Sequence, residues 1–246
     1  MRLPFFHRLA DPDHLIVPHG ESRFRVALKR RAASQRLTLR VSTATGEITL
    51  SMPTRVDIVA AERFALSHGG WIAARLAKRP VNVSFTPGSM VPLRDVPHRI
   101  VHWSNVRSST RALHDKDGQP IIAVAGELAH VPRRVTDFLK AECRRDLEAA
   151  VSQHTQNLGL PARKLVLRDT TSRWGSCSSK GHLSFSWRLI LAPALVLDYL
   201  AAHEVAHLKE MNHSHRFWAV THKLFPRTEE AEKWLKKNGP SLHRYG

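Results

Sequence analysis

An α+β fold is what this sequence predicts: a β-rich N-terminal portion, then a helical portion carrying a small sheet of its own. Apolar residues alternate with polar ones in several short runs before residue 130. After it they recur at three- and four-residue steps. Strands grouped first and helices grouped second, without regular alternation, mark the α+β class. The expected divisions are an irregular tail over 1–20, a β-rich portion over 21–130 and a helical domain over 131–246.

Pro4, Pro12, Pro18 and Gly20 interrupt periodicity in the tail. Phe24, Val26 and Leu28 then alternate with basic residues, as do Leu37, Leu39 and Val41 after RRAASQR. TATGE supplies a hairpin turn before Ile48, Leu50 and Met52. Over 55–78 the period becomes helical (Val56, Val59, Ala60, Phe64, Trp71, Ile72, Leu76), with Gly69-Gly70 dividing two helices or kinking one and Pro80 ending the stretch. A second strand-rich stretch, about 82–125, holds RIVHWSNV and IIAVAG around the turn HDKDGQP. From Val131 a long helix is expected, with Pro132 at its first position, Cys143 and His154 on its apolar stripe and Gly159 as its stop. KLVLRD and HLSFSWRLIL read as short strands flanking SRWGSCSSKG. Helices follow at ALVLDYLAAHEVAHLKE after Pro193, at RFWAVTHKLF before Pro226, and at TEEAEKWLKK before Gly239-Pro240. No internal repeat is visible.

Composition narrows the classes of partner. No apolar run approaches the roughly 18 residues of a membrane helix, so no membrane partner is expected. The opening MRLPFFHRLADPDH breaks its apolar stretch with His7, Arg8 and Asp11 and is not expected to act as a signal peptide. Cys143 and Cys177 are too few for a disulfide framework and read as reduced thiols of a cytoplasmic protein. Thirty-eight Lys plus Arg against 21 Asp plus Glu give a net charge of +17, an excess that attracts polyanions, nucleic acid first. The basic strands over 23–41 are where such a surface would lie, although a half-buried sheet alternates in this way with no partner at all.

The chemistry concentrates in His203-Glu204-Val205-Ala206-His207, an HExxH sequence within a helical pattern. Four residues is just over one turn, so both imidazoles leave the same face and can bind one ion. Glu204 lies about 100° further round the axis, beside the metal rather than on it, where it can act as general base toward zinc-bound water. LKEMNHSH follows, with Asn212 as the expected helix cap and His213 able to turn back as third ligand; His215 is the competitor. Three imidazoles and one open position make a catalytic zinc site, one Zn2+ per chain, and the reaction class is hydrolysis. His182, His222 and His243 have no such spacing and read as surface residues.

From about residue 133 to 240 the chain resembles the YgjP-like family of zinc metallopeptidases and, more distantly, the SprT-like proteases. The resemblance rests on SRWGSCSSKGHLSFSWRLILAP, LDYLAAHEVAHLKEMNHSHRFW and the closing FP and WLKKNG; RRAASQRLTLRV is similar more loosely. It implies a gluzincin-like catalytic half, with HEVAH on the active-site helix and the His of NHS as third ligand. Members often carry Pro where this chain has His215, which keeps His215 out of the metal shell. The resemblance also implies that HLSFSWRLI is the strand that pairs with extended peptide substrate, with the RWGSC turn near the cleft. Trp174 and Cys177 in that turn read as packing residues, a redox role for Cys177 being the alternative.

The expected function is a zinc-dependent peptidase acting on peptide or protein. The alternatives are a DNA-linked protease, and a non-enzymatic zinc-stabilised module that binds nucleic acid through the basic surface. Oligomeric state has no signal in the sequence.

Overall fold

A computed structural model describes residues 11–42, 45–78, 81–104 and 108–246. The fold is α+β, and the chain separates into two compact units, 1–80 and 81–246.

The first unit contains β1 (His14–His19), β2 (Ser22–Arg30), β3 (Thr38–Val41), β4 (Ile48–Met52), α1 (Ile58–Ser67) and α2 (Gly69–Ala77). The sheet order is β1-β2-β4-β3, with β2 and β4 parallel and the outer pairs antiparallel. Leu15, Val17, Val26, Ile48, Leu50 and Met52 form its core with Ala61, Ala65 and Ile72 of the helices. The expected tail therefore holds a strand. Pro18 sits on the edge strand β1, where a missing N–H is harmless. The helices divide at His68, beside the expected glycine pair. Thr43 and Ala44 of the TATGE turn, and Pro80, lie outside the described residues.

The second unit opens with β5 (Met90–Leu93), β6 (Val96–Trp103), β7 (Arg111–His114) and β8 (Pro120–Ala125). Their order, β5-β6-β8-β7, and their directions reproduce those of the first sheet strand for strand. The repeat invisible in the sequence is thus a repeat of topology. The two sheets differ in burial. β4 alternates buried and half-buried residues, whereas Ile121 to Ala125 of β8 are all buried; a strand covered on both faces loses the period-two signal.

The remaining elements are α3 (Val131–Leu158), β9 (Lys164–Arg168), β10 (Gly175–Cys177), β11 (His182–Ser186), a 3-10 turn (Trp187–Leu191), α4 (Ala194–Ala206), α5 (His215–Leu224) and α6 (Thr228–Leu242). Helix α3 buries Val135, Leu139, Cys143, Leu147, Val151 and His154 along one stripe and ends at Gly159, whose left-handed backbone (φ 74°) lets its N–H reach the carbonyls of Thr155 and Gln156. Helix α6 runs past Gly239-Pro240. Proline there costs only a bond of the last turn, and continuing the helix brings Leu242 into the core.

The division expected near residue 130 falls instead at 80. Ile100, Ile122 and Val124 of the second sheet share one core with Leu139 of α3 and Trp187. In the β5–β6 turn, Arg94 holds Asp146 through two hydrogen bonds of 2.8 and 2.7 Å, and Glu142 at 2.9 Å, both on α3. Side chains from distant positions in the chain, not a change of local period, decide where a unit ends.

Candidate metal centre

Helix α4 crosses α3 and packs against β10, buried on nearly every side from Val196 to Ala206. A helix held this way has little freedom to rotate, so the directions of His203 and Glu204 are set by the core. The helix ends at Ala206, with His207 as its cap, several residues before the expected cap at Asn212. The His207 Nδ1–H donates to the carbonyl of Glu210 at 2.9 Å, which closes the turn locally. Ser214 then caps α5, its hydroxyl accepting from the N–H of Phe217. His213 is left just outside that helix, and His215 is its first residue.

Among the described residues, His203, His207 and His213 form a group whose ligand atoms all lie within 4.8 Å of one another; His215 is not part of it. The Nε2 atoms of His203 and His213 are 3.1 Å apart, close to the roughly 3.3 Å that separates two nitrogens bound tetrahedrally at zinc–nitrogen distances of about 2.0–2.1 Å. Phe217, fully buried, lies under all three rings, with centroid distances of 4.9, 4.4 and 4.7 Å to His203, His207 and His213.

The outer nitrogens are committed. A carbonyl only accepts, so His207 carries its proton on Nδ1 and leaves Nε2 bare. Tyr199, one turn before His203, donates its hydroxyl to Glu232 of α6 at 2.8 Å and stands 3.2 Å from His203 Nδ1. With its one proton directed to the carboxylate, Tyr199 accepts from His203, and Nε2 of His203 is bare as well. Burial, and then the neighbouring imidazoles His207 and His213, push His203 down to about 4. His207 is lowered too, by burial first. Both rings are therefore neutral at pH 7, the state a metal ligand requires.

Glu204 is 4% exposed. Burial raises its carboxyl to about 8, against the opposing charge of Arg173. Its Oε2 is buried and has no hydrogen-bond partner among the described residues. Gly175 makes room for it: a β-carbon there would stand 2.4 Å from Oε1. A cleft of ≈ 460 Å³, lined by Trp174, Gly175, Tyr199, His203, Glu204 and Glu232 among others, opens beside the carboxylate.

The sheet order is β10-β11-β9. HLSFS, expected to pair with substrate, is the central strand and has both edges occupied. The outer strands are β10 and β9, and of these β10 is the one that packs on α4 and so presents its unpaired edge beside His203 and Glu204. Ser178 bonds His182, and Ser186 bonds Trp174, across the β10–β11 pair. By antiparallel alternation the outward N–H and C=O groups are those of Gly175 and Cys177. Burial, then the nearby Glu204, pushes the Cys177 thiol up to about 11, opposite to the shift a redox-active thiol needs. Trp174 stacks on His243 at 4.9 Å, so His243 is a packed residue rather than the surface one expected. Spacing pointed to the three histidines and Glu204. Tyr199, four residues before His203, and Gly175, within the RWGSC turn, lay in stretches the sequence marked, without their roles being legible; Phe217 and Glu232 carried no local signal.

No helix of the described residues is long and apolar enough to cross a membrane. No curated protein matches the chain. A crystal structure of the metallopeptidase zymogen abylysin from Pyrococcus abyssi is similar at 26% identity, covering 37% of this chain and 93% of that one with a TM-score of 0.34. The model of the YgjP-like metallopeptidase domain matches residues 35–238, across both units. With that match spanning most of its length, the chain belongs to the YgjP-like metallopeptidase family.

Proposed function

We propose that the protein is a zinc-dependent peptidase in which His203, His207 and His213 hold one zinc ion and Glu204 is the general base. The observation that carries this is the convergence of three imidazoles, with the buried carboxylate of Glu204, its Oε2 without a partner, sharing a cleft with His203. The donor set fits zinc, for which imidazole nitrogen is a preferred ligand. Zinc held there would polarise a carbonyl and acidify a water molecule.

The chain's own residues do the rest. Glu204 Oε2 accepts a proton from the attacking water and returns it to the leaving amine. Burial suits the carboxylate to both halves of that transfer, since a group poised near neutral pH takes and gives a proton with little driving force lost. Gly175 and Cys177 offer backbone groups that would hold an extended peptide as an added strand, with few demands on its side chains. Three ligands favour the catalytic reading over a zinc-stabilised module, which takes a fourth protein ligand.

The test is metal content and turnover measured side by side. One zinc per chain in the wild type, its loss in His213→Ala, and its retention without peptide hydrolysis in Glu204→Gln are expected. Full activity in Glu204→Gln would overturn the proposal.

A further inference from the structure

The two topologically equal sheets part company on their second faces. That of the second unit is covered, as the fully buried run of β8 records, but the outward face of the first is open. Because β2 is registered in parallel with β4, Ala27 lies beside Thr49 and Lys29 beside Ser51, with Arg40 and Thr38 on the far side. Side chains alternate along a strand, so Arg23, Arg25, Lys29, Arg31 and Arg40 share this face, and all five are exposed. The small residues between Lys29, Arg31 and Arg40 leave a groove of ≈ 370 Å³, and Arg23 and Arg25 continue the basic face beyond it.

Its charges are uncompensated. Glu47 is the one carboxylate lining the groove, 3.8 Å from Lys29, and an exposed pair of that length neutralises little. Among the described residues, Arg23, Arg25, Arg31 and Arg40 have no carboxylate partner. Arg30, of opposite parity, is the contrast: it turns to the other side, pairs with Asp11 and donates to the carbonyls of Thr54 and Val56. One arginine on the strand serves the fold, and its neighbours are left for something else.

We propose that this open face of the first sheet binds the phosphate backbone of nucleic acid. Arginine forks and the hydroxyls of Thr38, Thr49 and Ser51 match phosphate oxygens. No Phe, Tyr or Trp stands at an outward position of these strands and His14, beside Ala27, is the one ring there, so bases lack an extended stacking platform and recognition is largely independent of sequence. Ile16 is the single large apolar side chain exposed there, too little to anchor the face in a membrane.

The experiment uses the full-length protein, with and without metal, and a short labelled DNA duplex of arbitrary sequence, read by fluorescence anisotropy across a salt series. Binding at low salt, unaffected by metal, is expected, with log K falling against log salt by about 0.9 for each phosphate neutralised. Arg25→Glu combined with Arg40→Glu weakens binding about tenfold or more. Arg133→Glu combined with Lys140→Glu, which removes the same charge from exposed positions of α3, changes it by less than about threefold. Circular dichroism establishes that both variants fold, and Arg25→Gln with Arg40→Gln replaces the first pair if reversal proves too severe. Equal loss in the two double variants would reduce the effect to net charge and overturn the assignment. So would absence of binding at low salt, or a preference for phosphatidylserine vesicles over duplex.

Discussion

The carboxylate of Glu204 lies against the bare α-carbon of Gly175, so close that a β-carbon would come within 2.8 Å of its Cγ and Cδ and 2.4 Å of Oε1. Gly175 sits in β10 with no left-handed backbone, so alanine is conformationally acceptable and the whole effect is the collision. Gly175→Ala is expected to lower turnover about a hundredfold, as a base displaced by an ångström does. Zinc content stays at the wild-type level, because the histidines are untouched. Loss of zinc alongside activity would show that the glycine supports the helix rather than the carboxylate.

His203 and Glu204 impose opposite pH trends on the metal-free protein. The folded His203 sits near 4 against an ordinary 6.5, so the unfolded chain binds more protons between those values and stability falls on acidification through that window. Glu204 sits near 8 against 4.5; there the folded chain binds more, and stability falls as pH rises from 4.5 through 8. Chelator-treated wild type should therefore be most stable at mildly acidic pH. Glu204→Gln removes the alkaline decline, a difference on the order of a few kcal/mol by thermal melting. Parallel profiles for the two proteins would contradict this.

Phe217 is the shared floor of the three imidazoles. Truncation to alanine should cost about 3–5 kcal/mol in chemical denaturation, as for other buried phenylalanines. The milder Phe217→Leu should fold but release zinc to a competing chelator more readily. Unchanged zinc affinity in the leucine variant would mean that the rings are held by their own backbone.

Tyr199 links Glu232 to His203, the proposed zinc ligand, through one hydroxyl. Tyr199→Phe leaves His203 Nδ1 without its acceptor, and zinc affinity should drop about 10- to 100-fold with the fold retained. Glu232→Gln should have the smaller effect, because Tyr199 can still accept from the imidazole. Competition with a chromophoric chelator reads both; a larger loss in Glu232→Gln would reverse the assigned direction of the relay.

Some of this was legible because it is local. An HExxH stretch on a helix puts His203 and His207 one turn apart whatever surrounds them, and a six-residue step brings His213 within reach. The same locality explains the long helix with its proline start and glycine stop. Expectations failed where a distant partner decides the outcome. β1 was hidden by Pro18, which an edge strand tolerates. β8 lacked alternation because both its faces are covered. The end of α4 came early because His207 closes a turn onto Glu210.

The sequence by itself determined the α+β class, the long helix α3 and the turn of helix that sets His203 and His207 side by side, since periodicity and spacing are properties of neighbouring residues. Tertiary structure alone decided the boundary at residue 80, the two sheets of equal topology, the free edge at β10, the basic face of the first sheet, and the contacts of Glu204 with Gly175 and of Tyr199 with Glu232. Each joins segments far apart in the chain, and such contacts are chosen by packing and by the satisfaction of buried polar groups, neither of which has a period to read.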